Sequence, residues 1–97
     1  MNKFLDEDGY PYEKDLKRIE TWKYKFSILM DFVKERWKYV DIAWDQDGKK
    51  FEISTMGWSG NEEIIDALMS NHIFWLFCWV QSTRGGHYIF EMPKEEK

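Results

Sequence analysis

The chain has 97 residues, 19% of them aromatic and six of them Trp, and a formal net charge of −4. That length accommodates one domain, and the acidic balance argues against direct nucleic-acid binding and attraction to anionic membranes, both of which need a basic face. No apolar run approaches the roughly 20 residues of a membrane span, the start MNKFLDEDGY is too acidic for a secretory signal, and Cys78, the single cysteine, permits no internal disulfide, as expected in a reducing cytoplasm.

Residues 9–92 are expected to form one α+β domain, with 1–8 and 93–97 as flexible termini. A first helix is predicted from Pro11 to about Trp22, because Pro suits a first helical turn and Tyr12, Leu16 and Ile19 make one apolar stripe. A second is predicted from about Lys25 to Lys38. There Phe26, Leu29, Met30, Val33 and Trp37 share a face, which places Trp37 in the core.

The period then changes to two. Val40, Ile42 and Trp44 alternate with charged or small residues, and Phe51, Ile53 and Thr55 do the same after Asp47-Gly48. This is a hairpin signal. A two-residue turn at Asp47-Gly48 pairs Asp45 with Lys50, Trp44 with Phe51 and Ile42 with Ile53, so the apolar residues share one face and opposite charges meet on the other. Next comes the loop Met56-Gly57-Trp58-Ser59-Gly60-Asn61 and a third helix bearing Ile64, Ile65, Leu68 and Met69. Ser59 and Glu62 fit a capping box, Asn61 is the competing cap, and Asn71 suits a left-handed helix end. Ile73 to Thr83 and His87 to Met92 read as a second hairpin turning at Gly85-Gly86. The prediction is therefore α-α-β-β-α-β-β, with a four-stranded antiparallel sheet, helices mainly on one face, and strand order left open.

Three features are candidates for function. Free N–H groups at a helix start attract anions, which singles out Trp58, Ser59 and Asn61; an ordinary capped helix is the competing reading. With Gly85-Gly86 as the turn, Arg84 is expected to oppose His87 on one face, and the two, with Tyr88 beside them, suit a phosphate or carboxylate at the second hairpin's tip; a solvated turn is the alternative. Trp75, Phe77 and Trp79 alternate along one predicted strand, and serve as core, as a stacking platform or as a subunit interface. Cys78 lies in an apolar run and reads as a small buried hydrophobe. There is no metal-ligand spacing, cofactor motif or nucleophile elbow, so catalysis is not expected.

Gly57-Trp58-Ser59-Gly60-Asn61-Glu62-Glu63-Ile64-Ile65, then Phe74-Trp75, Cys78-Trp79 and Arg84-Gly85-Gly86-His87-Tyr88-Ile89-Phe90, resemble a family of small bacteriophage-encoded proteins. Gly9-Tyr10-Pro11 and Phe32-Val33 extend the resemblance over most of residues 9–91, and Tyr12 departs from it where a capping Thr or Ser is usual. The resemblance implies a phage origin and brings no functional residue with it. By analogy with small acidic phage proteins, an inhibitor of host antiviral defence in the host cytoplasm is expected. It would act as a sponge for a nucleotide-like immune signal, or by occupying a surface of a host defence protein. A small hydrolase of the signal, with His87 as base, is a further alternative. Because the strand through Trp75, Phe77 and Trp79 is apolar on both faces and the helices cover one, a homodimer or higher homo-oligomer is expected to cover the other; the rival expectation is that the N-terminal segment or the first helix crosses to that face within one chain.

Overall fold

Apolar residues at helical spacing make the first two helices. In α1 (Glu13–Thr21) Ile19 is buried, and Glu13 and Asp15 in the first turn oppose the helix dipole. In α2 (Phe26–Glu35) Phe26, Leu29, Met30 and Val33 are buried at successive turns. The computed structural model describes residues 2–93. Of the expected flexible tail, 94–97 lie outside the described residues. Residues 2–8, expected to lie outside the domain, fold back on it. Asn2 Nδ2 donates to Glu35 O at 2.8 Å. The Phe4 ring centre lies 4.3 Å from the Arg36 guanidinium, which is also 3.5 Å from Phe32 and bonds Asp15 at 2.9 Å.

The second helix ends at Glu35, three residues earlier than expected, yet Trp37 still reaches the core. It is 2% exposed, and its Nε1 donates to Ser54 O at 3.0 Å. Val40–Ala43, expected to open a strand, form a single helical turn, α3, led by Tyr39 in the left-handed region. Tertiary clamping overrides β propensity here. Asn61 Oδ1 accepts from Lys38 N at 2.9 Å and Asn61 Nδ2 donates to Lys38 O at 3.0 Å, which fixes the chain just before the turn.

The first hairpin is β1 (Trp44–Asp47) and β2 (Lys50–Ser54), and its register differs from the expected one. Trp44 pairs with Ile53, Asp45 with Glu52 and Asp47 with Lys50. The turn falls at Gly48-Lys49 because Gly48, with φ 61°, takes the first central position. Glycine there is the type II′ preference. A partner shift of two residues keeps every side chain on its face. Trp44, Phe51 and Ile53 therefore still share the inner face, but Asp45 now opposes Glu52 instead of Lys50.

Helix α4 (Ser59–Ser70) buries Ile64, Ile65, Ala67 and Leu68. The apolar run beyond it is the main departure from expectation. It forms a helix, α5 (His72–Cys78), and only its end enters β3 (Trp79–Thr83). Asn71 causes this. It takes an extended conformation, not a left-handed one, and its Oδ1 accepts from Phe74 N at 3.1 Å. That caps α5, while Nδ2 donates to Ile19 O at 2.8 Å and Trp22 O at 2.7 Å, closing the end of α1.

The sheet is completed by β4 (His87–Glu91), giving the antiparallel order β1-β2-β4-β3. Thr83, not Arg84, opposes His87, because Gly85 and Gly86 both hold positive φ in a three-residue turn and Gly86 O accepts from Thr55 N at 3.0 Å. The result is the expected α+β class, a four-stranded antiparallel sheet with the core against one face. Phe51, Ile53 and Phe90 of the sheet meet Phe26, Leu29, Met30, Ile64, Leu68 and Phe74 of the helices. Among the described residues no helix is long and apolar enough to cross a membrane.

Candidate functional site

The central β2–β4 pairing brings the two predicted anion-binding segments together. Thr55 follows β2 and bonds Gly86 of the hairpin turn; its carbonyl also accepts from Asn61 Nδ2 at 3.3 Å. The side chains themselves are largely committed to the fold. Asn61 is fully buried and uses both ends of its amide on backbone groups of Lys38 and Thr55. Trp58 is the N-cap residue and makes no side-chain cap bond. Its indole lies over Lys38 Nζ at 4.0 Å and against Tyr10 at 4.8 Å, and its Nε1 donates to Gly9 O at 3.3 Å. Gly60 makes room for that ring, since a Cβ there would collide with the indole nitrogen. The Ser59–Glu62 capping box does not form. Ser59 Oγ pairs with Tyr10 OH at 2.7 Å, and Glu62 lies 3.4 Å from Thr55 Oγ1.

Arg84 and His87 are exposed, and Tyr88 is half-buried against the core. His87 lines a groove of about 640 Å³ on the open face of the sheet, together with Asp41, Asp45, Glu52, Gln81 and Thr83. Three carboxylates make that groove a poor seat for a phosphate. They suit a cationic group.

The predicted aromatic trio is split between two environments, because the segment is helical through Cys78. Trp75 turns inward, with its ring centre 5.6 Å from Phe90, and stacks on Trp79 at 5.8 Å. Phe77 turns outward. On α5 the inner positions are Phe74 and Cys78, four apart and both buried. Ile73, Leu76 and Phe77, at i, i+3 and i+4, form the opposite face, with Leu76 77% and Phe77 64% exposed. A helix apolar all round ordinarily has partners all round; α5 has them on one side. Ile73 and Leu76 were not singled out from the sequence. The signal available was their helical spacing after a capping Asn71, masked by aromatics that favour strands.

The strand that follows continues this surface. All of β3 is exposed, and it forms one edge of the sheet. The other edge, β1, is four residues long and carries Asp45 and Asp47. Charge and shortness are how edges are protected from pairing. Trp79-Val80-Gln81-Ser82-Thr83 has no charge and no proline, and its one irregularity, between Trp79 and Gln81, lies at the junction with α5.

Comparison with known protein families, curated proteins and solved structures finds no match.

Proposed function

We propose that the chain is a non-catalytic binding protein that works as a homodimer joined through the outer face of α5 and the free edge of β3. The observation that carries this reading is the unpartnered face Ile73-Leu76-Phe77 beside an uncharged, exposed edge strand. Trp79 and Val80, 41% and 49% exposed, follow directly in β3, so five large apolar side chains stand in water along α5 and the start of β3. Monomers seldom expose contiguous apolar patches beyond a few hundred Å². A second copy fits because a two-fold axis at the edge sets β3 antiparallel to its mate and α5 against α5, so the same residues meet themselves. Hydrogen–deuterium exchange at two protein concentrations tests the location. Amides of α5 and β3 gain protection at the higher concentration while those of β1 do not; unchanged exchange in β3 would refute the arrangement.

The phage resemblance supports, for such a dimer, inhibition of antiviral defence in the host cytoplasm. Capture of a nucleotide-like signal is the first reading of that role. Occupation of a host protein is the second, and the groove with Asp41, Asp45 and Glu52 favours it, since it presents negative charge to a basic partner surface.

A further inference from the structure

Positive charge is concentrated in one short stretch of this acidic chain. Residues 14–25 contain Lys14, Lys17, Arg18, Lys23 and Lys25, against Asp15 and Glu20. Asp15 is neutralised by Arg36 at 2.9 Å, and Lys17 lies 3.9 Å from Glu13. Of the other four cations, Lys14 lies 6.0 Å from the centre of the Tyr12 ring, and Arg18, Lys23 and Lys25 line one cleft of about 380 Å³ with Thr21, Trp22, Tyr24 and Ile28, which no carboxylate lines. Among the described residues none of the three forms an ion pair.

The cleft is shaped by the connection between α1 and α2. Lys25 holds φ 58°, a left-handed conformation uncommon for residues other than Gly, Asn and Asp, and so turns the chain sharply at the start of α2. Arg18 is positioned by aromatic rings, its guanidinium 5.3 Å from the centre of Trp22 and 5.9 Å from Phe32. Tyr24 stands 71% exposed between the two lysines. Its ring is free to stack, while the flanking cations are free to take negative charge.

We propose that this cleft binds a small phosphate-bearing aromatic molecule of the nucleotide class. Arg18, Lys23 and Lys25 would take the phosphates through charge-assisted hydrogen bonds, and Tyr24 would stack on the base. The volume falls in the range of small-ligand pockets, ~300–1,000 Å³. An extended polyanion would need a longer basic track than three cations provide. The proposal rests on reading the chain as a binding protein, and it names a ligand site separate from the segment expected to hold one at Trp58–Asn61 and Arg84.

The test is an NMR titration of backbone amides with ATP, with inorganic phosphate and with adenosine as separate probes. ATP is expected to shift the resonances of Thr21 to Ile28 saturably, phosphate to shift the same set more weakly, and adenosine to give no saturable shift. Tyr24→Ala is expected to weaken ATP about tenfold and to leave phosphate unchanged. The double variant Lys23→Glu, Lys25→Glu is expected to lose both while the rest of the spectrum stays native. Absence of saturable shifts at residues 21–28 with ATP up to about 5 mM, a concentration that detects even millimolar affinity, would overturn the proposal. So would unchanged ATP affinity in the double variant. Light scattering on the same samples reads the dimer separately, so failure of one idea leaves the other standing on its own result.

Discussion

Two asparagines and a tryptophan hold the connections of this fold. Asn61 ties the segment before α3 to the end of β2 through three backbone groups. Asn61→Ala would leave the part-buried N–H and C=O of Lys38 without partners, while Thr55 O keeps Trp58 N at 2.9 Å, and each unmet group costs about 1–3 kcal/mol. A loss of roughly 2–4 kcal/mol in urea denaturation is expected on that basis. A loss below about 1 kcal/mol would mean that water replaces the amide. Trp37 packs edge-on against Trp44 at 5.7 Å and bonds Ser54 O. Trp37→Ala is expected to cost about 3–5 kcal/mol, the range for a buried aromatic. Unchanged thermal stability would contradict its place in the core. Gly86 combines φ 81° with a neighbour, Thr55 Oγ1, that a Cβ would strike. Gly86→Ala therefore meets both backbone strain and a clash. It should lower the melting temperature, whereas Gly48→Ala, with nothing within 4 Å of its Cβ position, meets strain alone and should lower it less.

Elements were legible in the sequence wherever the apolar period was long and local. The stripes of α1, α2 and α4 and both hairpins follow from spacing and turn residues, and Trp37 could be placed in the core before its helix boundary was known. Features decided by distant partners were not legible. Val40 and Ile42 have the composition and alternation of a strand, but Asn61, about 20 residues later, holds the chain so that they make a helical turn. The run from Ile73 to Val80 has no periodic polar residue, so helix and strand fit it equally well. The side chain of Asn71 decides the matter by capping one helix while bonding the end of another. The hairpin at Gly48 illustrates a milder limit: facing is fixed by the period of two, whereas register depends on which turn position the glycine takes. The candidate ligand residues fared similarly. Trp58 and Asn61 look available in sequence because the backbone they grip lies elsewhere in the chain. The charges from Arg18 to Lys25 are visible in sequence, but their convergence on one cleft depends on the left-handed turn at Lys25, which spacing does not reveal.

For the whole molecule, the sheet has one covered face, one polar face and two unlike edges, and these together set how it meets other molecules. The polar face carries Asp45, Glu52, Gln81, Thr83 and His87, so it needs no apolar cover. Of the aromatic run that suggested a partner over the sheet, Trp75 packs inward on Phe90, and Phe77 and Trp79 lie beside the sheet, on α5 and the β3 edge. Joining two copies there extends the sheet to eight strands and leaves both the acidic groove and the basic cleft available. Leu76, 77% exposed, would lie at the centre of the proposed contact, so Leu76→Glu should disrupt that contact while altering folding stability little. Light scattering of the native chain and of Leu76→Glu at tens of micromolar tests this directly. The native chain is predicted to show twice the chain mass, and the variant a single chain mass with an unchanged circular-dichroism spectrum. A native chain of single mass, or a variant that stays dimeric, would contradict the account.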